Sequence, residues 1–348
     1  MMHRALPART VLVTGAAGFI GANFVHYWRR THAGDTVVAL DALTYAGNQE
    51  NLAAVRDDVV FVRADIADGA RMTEILREYR VQVVVNFAAE SHNSLAVLDP
   101  GRFFRTNVLG TQALLHACLD AGVDRFHHVS TCEVYGDLAL DSTEAFHEET
   151  PYRPRTPYNA SKAGADHAVR AYHETFGLPV TITNCANNYG PYQFPEKVVP
   201  LFVTNALRGL SLPVYASRHN RREWIHVEDH CRAIDAVLTD GEPGLTYHVG
   251  TGVEASVQQI ADLVLDELGL PESLQTTVAD RPGHDRRYLL DSGRIRQTLG
   301  WQPAVAFEEG LRETIRWYRD NPGWWAPLLE RRPVAEERAW SPSGAGAR

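Results

Sequence analysis

The sequence lacks several features that would each mark a particular class of protein. Its four cysteines, at positions 118, 132, 185 and 231, form no CxxC pair, so neither a disulfide framework nor a metal site is expected, and reduced thiols suit the cytoplasm. No apolar run reaches the roughly 18 residues of a membrane span. The start of the chain lacks the apolar stretch of a secretory signal. A formal net charge of -9 disfavours a nucleic-acid-binding surface, which depends on Lys and Arg.

The composition is that of an ordinary globular protein, with strand and helix signals alternating along the first half. Apolar residues make up 45% of the 348 positions. Because parallel strands need crossover connections, this alternation predicts an α/β fold with a doubly wound parallel sheet. The expected strands lie at residues 10–14, 36–41, 59–62, 81–87, 126–130 and 179–184, and the expected helices at 19–30, 72–79, 103–121 and 161–176.

After residue 185 the alternation loosens. Long polar loops are expected at 187–197 and 216–223, and helices at 257–268 and 307–321. We therefore expect a first domain at residues 9–186, with about 224–250 rejoining it, and a smaller, discontinuous α/β lobe mainly at 187–331. Residues 332–348 have no periodicity and are expected to form a flexible tail.

A glycine-rich turn follows the first strand and opens the first helix. Its GxxGxxG spacing is a variant of the Rossmann fingerprint, in which glycines let the backbone approach the pyrophosphate of a dinucleotide. Asp41 ends the second strand, where a carboxylate accepts hydrogen bonds from the ribose and repels a 2′-phosphate, so NAD is predicted rather than NADP. The predicted cofactor contacts in this half are Gly15, Gly18, Phe19, Ile20, Gly21, Asp41, Asp65, Ile66, Ala88 and Ala89.

A tyrosine and a lysine form a candidate redox pair. Tyr158 and Lys162 are four residues apart and share one face of a predicted helix, where both are expected to contact the cofactor. We expect the ammonium to lower the pKa of Tyr158 from about 10 toward neutrality. Such a phenol can accept the proton of a substrate hydroxyl while hydride leaves the same carbon for nicotinamide. Ser130 and Thr131, at the end of the fifth strand, can hydrogen-bond that hydroxyl.

Four longer strings carry a resemblance to a known family. They are DALTYAGN at 41–48, NFAAESH at 86–92, NNYGPYQFPEK at 187–197 and DRPGHD at 280–285. With the glycine turn and the YxxxK pair, they resemble the dTDP-glucose 4,6-dehydratases of the extended short-chain dehydrogenase/reductase superfamily, from about residue 9 to about residue 325. The resemblance implies oxidation of a hexose at C4, elimination of water across C5 and C6, and return of hydride to C6. It makes the first domain NAD-binding and the second lobe nucleotide-sugar-binding.

The active-site string Thr-Asp-Glu of that family reads Thr131-Cys132-Glu133 here. The resemblance implies that Thr131 holds the C4 hydroxyl, that Glu133 removes the C5 proton, and that Cys132 replaces the acid that protonates the leaving hydroxyl. A thiol with a pKa of about 8.5 holds its proton at neutral pH but donates hydrogen bonds weakly. Either Cys132 is the acid, or the elimination is impaired, or the reaction differs. Enzymes that form exo-glycals, in which hydride returns to C4, have a similar Thr-Cys-Glu string.

Polar residues of the second half match family positions around the nucleotide sugar. The planar guanidinium of Arg222 can hold two oxygens of a diphosphate, and Tyr215 can stack on the base. Three nearby strings depart from the family: HVDRS reads HNSLA at 92–96, RCS reads NCA at 184–186, and YGDG reads YASR at 215–218. The predicted substrate contacts are Ser91, Asn187, Asn188, Glu196, Lys197, Pro213, Tyr215, Arg222, Arg281 and His284.

The prediction is therefore a cytoplasmic NAD-dependent nucleotide-sugar dehydratase, a lyase that takes a dTDP- or UDP-hexose and uses no metal. An NDP-hexose 5,6-dehydratase that forms an exo-glycal uses the same residues. A nucleotide-sugar 4-epimerase needs no C5 elimination, so the retained Glu133 argues against it. A non-catalytic binding protein need not keep Tyr158 and Lys162. Superfamily members commonly pair through two helices, here 103–121 and 161–176, so a homodimer is expected.

Overall fold

A computed structural model describes residues 8–280 and 283–331. The segment 332–348, predicted to be a flexible tail, and the predicted substrate contact Arg281 lie outside these described residues. The strands of the described part are β1 (Thr10–Thr14), β2 (Thr36–Asp41), β3 (Val59–Arg63), β4 (Val83–Asn86), β5 (Arg125–Thr131), β6 (Val180–Cys185), β7 (Asn187–Tyr189), β8 (Leu212–Tyr215), β9 (Arg221–His226), β10 (Thr246–Val249), β11 (Glu254–Ser256) and β12 (Gln275–Val278).

Helices connect most of these strands. They are α1 (Phe19–Thr31), α2 (Gly69–Glu78), α3 (Asn93–Leu98), α4 (Pro100–Phe103), α5 (Thr111–Ala121), α6 (Pro157–Phe176), α7 (Val198–Leu207), α8 (Val227–Asp240), α9 (Val257–Leu268), α10 (Gly293–Leu299), α11 (Phe307–Asp320) and α12 (Pro322–Leu329). A π-helical stretch, Phe104–Gly110, joins α4 to α5. Short 3₁₀ segments lie at Gln49–Asp58, Cys132–Tyr135 and Glu272–Leu274. No helix of the described part is long and apolar enough to traverse a bilayer.

Seven strands form one parallel sheet in the order β10-β6-β5-β4-β1-β2-β3. The order reverses direction between β1 and β4, which opens a crevice at the carboxyl ends of the strands. Both faces of the sheet are covered by helices, so the central strands β1, β2 and β4 are buried on both sides. The predicted α/β fold with a doubly wound parallel sheet is confirmed.

Successive residues of the strands pack against different helical layers. Leu12 of β1 belongs to a core cluster shared with α2, α5 and α6, whereas its neighbours Val11 and Val13 belong to a cluster shared with α1 and α8. This follows from the two-residue period of a strand. The sheet is thereby held rigid between two buried layers, and the loops at its carboxyl edge start from fixed points.

The second half of the chain adds two small sheets. One has the order β11-β9-β7, and the other pairs β8 with β12. They pack with α7, α9, α11 and α12 around a separate apolar core that includes Phe202, Trp224 and Ile315. By contrast, α8 packs on α1, and β10 extends the large sheet. The division at residue 186 and the return of about 224–250 stay predictions.

Three local expectations differ from the structure. The segments 187–197 and 216–223 were expected to be loops, but β7 and β9 begin within them because they pair with each other, Asn188 opposite Ile225. Such pairing joins distant segments and leaves no local periodicity. Helix α6 begins earlier than expected because Thr156 caps it, accepting a hydrogen bond from the backbone N of Asn159 at 3.2 Å, and Pro157 occupies its first turn.

Candidate active site

One cavity of about 410 Å³ lies along the carboxyl edge of the large sheet. Residues at the ends of six successive strands in the sheet line it: Asp65 after β3, Asp41 at the end of β2, Gly15 after β1, Ala88 after β4, Thr131 at the end of β5 and Ala186 after β6. Residues of the second half, among them Arg222, line it as well. The cavity therefore lies at the topological switch point where open α/β sheets bind ligands.

The glycine turn leaves no room for side chains at two positions. Gly15 has φ of +65°, and a Cβ there would lie 2.8 Å from the backbone N of Ala88. A Cβ on Gly21 would lie 2.2 Å from the carbonyl oxygen of Gly15. Both glycines line the cavity, so the turn is a backbone cradle at the N-terminus of α1, the kind of surface that holds a pyrophosphate.

Asp41 closes the other side of this cradle. Its carboxylate accepts hydrogen bonds from the backbone N of Ala17 at 2.9 Å and of Leu43 at 2.7 Å. Burial raises the pKa of Asp41, and the two backbone donors oppose that shift. Every cofactor contact predicted from the sequence lines the cavity: Gly15, Gly18, Phe19, Ile20, Gly21, Asp41, Asp65, Ile66, Ala88, Ala89, Tyr158 and Lys162.

Tyr158 and Lys162 project from the first two turns of α6 into the cavity. The ammonium of Lys162 donates to the carbonyl of Val129 at 2.7 Å and lies 3.2 Å from Nε2 of His128. Burial lowers the pKa of Lys162, opposed chiefly by the charge of Asp166. The lysine is therefore fixed by the β5 backbone as well as being close in sequence to the tyrosine.

The expected lowering of the Tyr158 pKa is wrong. Burial is the largest influence and raises the pKa of Tyr158 well above its ordinary value. The carboxylate of Glu133 raises it further, while a hydrogen bond with Thr131 opposes the shift. The phenol sits in a low-dielectric cavity beside a negative charge, so it needs an added positive charge before it can act as a base.

The string Thr131-Cys132-Glu133 turns sharply away from the end of β5. The Thr131 hydroxyl accepts a hydrogen bond from the backbone N of Glu133 at 3.2 Å, and both side chains line the cavity. Cys132 is 1% exposed and packs in an apolar cluster with Cys185, outside the lining of the cavity in the described residues. Burial raises the pKa of Cys132 well above its ordinary value, so the thiol keeps its proton but is a weak acid.

Six of the ten predicted substrate contacts also line the cavity. The ammonium of Lys197 donates to the carbonyl of Ser91 at 2.7 Å, and the hydroxyl of Tyr45 donates to Oε1 of Glu196 at 2.7 Å. These bonds tie the loop before α7 to the loops after β2 and β4. The six are Ser91, Asn187, Asn188, Glu196, Lys197 and Arg222.

Three other predicted substrate contacts lie in a separate cluster. The rings of Tyr215 and His284 are 5.0 Å apart, and Nδ1 of His284 lies 3.2 Å from the hydroxyl of Ser217. Pro213 belongs to the same strand, β8, as Tyr215. The structure does not bring Pro213, Tyr215 or His284 to the cavity lining of the described part.

Backbone carbonyls hold the guanidinium of Arg222 in place. Its guanidinium donates to the carbonyls of Asp285 at 2.5 Å and Arg286 at 3.1 Å, and it lies over the ring of Tyr288, 4.6 Å from the centroid. The planar group is thereby oriented before any ligand arrives. This is the arrangement that suits recognition of a phosphate.

Comparisons with known proteins decide the family. The chain matches the GDP-mannose 4,6 dehydratase family over residues 12–314. It belongs to that family. It is 48% identical to a dTDP-glucose 4,6-dehydratase of Streptomyces antibioticus, over 95% of this chain and 99% of the relative. It also resembles the dTDP-glucose 4,6-dehydratase of Streptomyces venezuelae solved with NAD and TYD bound, with a TM-score of 0.87, 50% identity, and coverage of 92% of this chain and 99% of that one.

A third relative strengthens the assignment to this family. The dTDP-glucose 4,6-dehydratase of Bacillus anthracis, solved in complex with NAD, has a TM-score of 0.86 and 43% identity, with coverage of 92% of this chain and 100% of that one. The likeness to dTDP-glucose 4,6-dehydratases read from the sequence strings is confirmed.

Asn93 and Tyr288 are among the cavity-lining residues that the sequence analysis did not assign to the site. Asn93 donates to Oε2 of Glu133 at 3.1 Å, and Tyr288 donates its hydroxyl to Asp285. Burial raises the pKa of Asp285 to about 6. Their positions beside family strings could have indicated both residues. Asn93 follows the NFAAESH string directly, and Tyr288 lies three residues after DRPGHD.

Proposed function

We propose that this chain is an NAD-dependent nucleotide-sugar dehydratase with the activity of a dTDP-glucose 4,6-dehydratase. The reaction oxidises the hexose at C4, eliminates water across C5 and C6, and reduces C6, giving a 4-keto-6-deoxy sugar. One observation carries the proposal: Thr131, Glu133 and Tyr158 face the same cavity as the glycine cradle. A redox group and a carboxylate base are therefore adjacent, as consecutive oxidation and elimination require.

The residues present fit NAD. The cradle formed by Gly15 and Gly21 admits only backbone, and Asp41 lines the cavity beside it. Bound NAD supplies the hydride acceptor for C4 and the hydride donor for C6, and its oxidised ring brings a positive charge that favours the phenolate of Tyr158. Lys162, held 2.7 Å from the Val129 carbonyl, adds a second positive charge to the same wall.

The proton transfers can be assigned to residues of the chain. Tyr158 accepts the proton of the C4 hydroxyl, with Thr131 orienting that hydroxyl. The C4 ketone acidifies the C5 hydrogen, which Glu133 removes as a proton. The C6 hydroxyl leaves as water after gaining a proton, for which Cys132 is the sequence-derived candidate. The proton on Glu133 exchanges with solvent, and Glu133 then protonates C5, so the original C5 hydrogen is lost. In the net reaction the C4 hydroxyl proton accounts for the water formed.

The nucleotide diphosphate is assigned to the positive end of the cavity. Arg222, Lys197 and Asn188 all line it. Guanidinium and ammonium groups are the usual phosphate partners in proteins. We take dTDP as the nucleotide, because the relatives named above are dTDP-glucose 4,6-dehydratases. UDP is the alternative that the test must include.

Two coarser features complete the proposal. Exposed Phe104 and Leu109 on the π-helical stretch and Phe176 at the end of α6 favour pairing of two copies through these helices. The four cysteines are free and buried, which fits a reducing compartment such as the cytoplasm.

The test is product analysis with dTDP-glucose and UDP-glucose. Loss of 18 mass units and a C6 methyl signal in the NMR spectrum are expected for 4,6-dehydration. A vinylic methylene signal would instead indicate an exo-glycal, and unchanged mass with inversion at C4 would indicate epimerisation. Either of those results, or no reaction with both sugars, would contradict the proposal.

A further inference from the structure

We propose that Asn93 is a positioning residue that fixes the base Glu133 to the helix carrying Tyr158. The inference rests on the proposed function and adds a residue to it. The amide Nδ2 of Asn93 donates to Oε2 of Glu133 at 3.1 Å. The Thr156 hydroxyl donates to Oδ1 of Asn93 at 3.1 Å. That hydroxyl also accepts from the backbone N of Asn159, which caps α6.

The orientation of the Asn93 amide is determined by its neighbours. A carboxylate only accepts hydrogen bonds, so the NH₂ group must face Glu133 and the carbonyl must face Thr156. The Thr156 oxygen is already an acceptor for the helix, which leaves its hydrogen free to donate. Each of the three groups thus has one possible role, and the chain of bonds is directional from Thr156 to Glu133.

This chain of hydrogen bonds connects the residues that act on the two reacting carbons of the sugar. Tyr158 lies two residues beyond Thr156, and its phenol acts at C4 in the proposed reaction. Glu133 acts at C5, the next carbon. Holding Oε2 leaves the other carboxylate oxygen as a proton acceptor. Because Asn93 is the bridge, it sets the spacing between the base and the phenol.

The position is one where this chain departs from the strings of its family. HVDRS reads HNSLA at 92–96, so an amide stands where a valine side chain is usual. Valine could make neither bond. Asn93 also lines the cavity, and Thr156 is only 5% exposed, so water competes little with the Thr156 bond. The base is therefore held here by side chains, in the same region in which the acid position is a thiol.

The experiment separates oxidation at C4 from proton removal at C5 in Asn93→Val. With dTDP-glucose, single-turnover absorbance at 340 nm reports oxidation, and loss of deuterium from the C5-deuterated sugar reports proton removal. A misplaced base costs about 10- to 100-fold, so we expect deuterium loss to slow by that factor. NADH formation should stay within about threefold of wild type, with KM unchanged to a similar degree.

Thr156 provides a conservative rescue and Ser256 a matched control. Thr156→Val should slow proton removal like Asn93→Val, and Thr156→Ser, which keeps the hydroxyl, should recover it. Ser256 caps α9, outside the cavity lining of the described residues. Ser256→Ala should lower the Tm through loss of a cap without changing the ratio of the two rates.

Three results would overturn the inference. Equal slowing of both steps would indicate a structural role, and a raised KM with kcat unchanged would make Asn93 a sugar contact. The third comes from NAD-loaded protein without sugar. There, Tm shifts of Asn93→Val and Glu133→Ala that simply add in the double variant would show that the two side chains do not interact. If wild type forms neither NADH nor product, the proposed function fails, and this last measurement still decides on the contact.

Discussion

The two ends of the cavity differ in how far backbone groups and side chains form their walls. At the cofactor end, glycines and alanines bring the backbone close to the cavity, and the carboxylate of Asp41 accepts its hydrogen bonds from the backbone N of Ala17 and Leu43. At the sugar end, side chains bond to side chains, as Asn93 does to Glu133. A wall of backbone can change little without losing its shape. A wall of side chains can change while the fold stays, and two of the departures from the family strings, Asn93 and Ala186, line the cavity.

The largest effect is expected where the two ends meet. Tyr158→Phe removes the proton acceptor for C4 but keeps the ring, which packs edge-on against Phe103 at 6.3 Å. Loss of a positioned acid–base group costs about 10²–10⁴ in rate, so turnover should fall by that factor and the NADH absorbance should vanish.

Tyr172→Phe is the matched control for that substitution. It lies on the same helix, where its hydroxyl accepts from Gln112 at 2.8 Å, and it should stay within about threefold of wild type. Normal turnover by Tyr158→Phe would contradict the proposed function.

A substitution confined to the cofactor end should affect NAD rather than chemistry. In Gly15→Ala the new methyl meets the backbone N of Ala88 at 2.8 Å with φ at +65°. Strain of about 1–3 kcal/mol corresponds to a loss of NAD affinity of about 10- to 100-fold, measurable by titration calorimetry. Gly34→Ala has nothing within 4 Å of the new Cβ and should bind NAD normally. Equal affinities for both variants would contradict the backbone-cradle interpretation.

At the sugar end, substitution of Cys132, the candidate general acid, should change the rate of elimination without loss of the fold. In Cys132→Asp the carboxyl is buried beside Glu133, which raises its pKa and keeps it protonated, and it is a stronger acid than the thiol. We expect elimination to accelerate about 10-fold, and Cys132→Ala to slow it about 10-fold. Cys118→Ala, in the core on one face of the sheet, controls for the loss of a buried thiol. Unchanged rate and product in both Cys132 variants would exclude the thiol from the reaction.

The smallest effect concerns stability against pH. Burial raises the pKa of Glu223 to about 7, opposed by hydrogen bonds from the backbone N of Gly252 at 2.6 Å and Leu290 at 2.9 Å. A carboxyl with a raised pKa holds its proton longer in the folded state, so its contribution to stability falls as the pH rises from about 4 to 7.

Unfolding of wild type and Glu223→Gln in urea between pH 5 and 8 checks this sign. The variant cannot ionise, so its stability relative to wild type should rise by about 1–3 kcal/mol across the range. Glu50→Gln, at an exposed carboxyl that pairs with Arg56, is the control for loss of a carboxyl charge. A constant difference between wild type and Glu223→Gln would contradict the prediction.

Local spacing explains why the cofactor end was predictable. The glycine turn is seven residues long and the YxxxK pair spans one helical turn, so both are complete within a short string. The contacts of Asn93 with Glu133 and Thr156 join positions 40 and 63 residues apart. Tyr288 also lines the cavity, and it is far along the chain from both Asn93 and Glu133. No periodicity links such residues, and their neighbours become known only when the sheet is assembled.

By itself the sequence determined the parallel sheet, the dinucleotide turn and the candidates for the reacting groups, because each depends on short-range pattern and residue chemistry. Only the tertiary structure decided the pKa, the burial and the placement of those groups. Burial raises the pKa of Tyr158 that its lysine was expected to lower, encloses Cys132 behind the cavity, and separates Tyr215 and His284 from it. Desolvation depends on everything packed around a group, and that is a property of the folded chain as a whole.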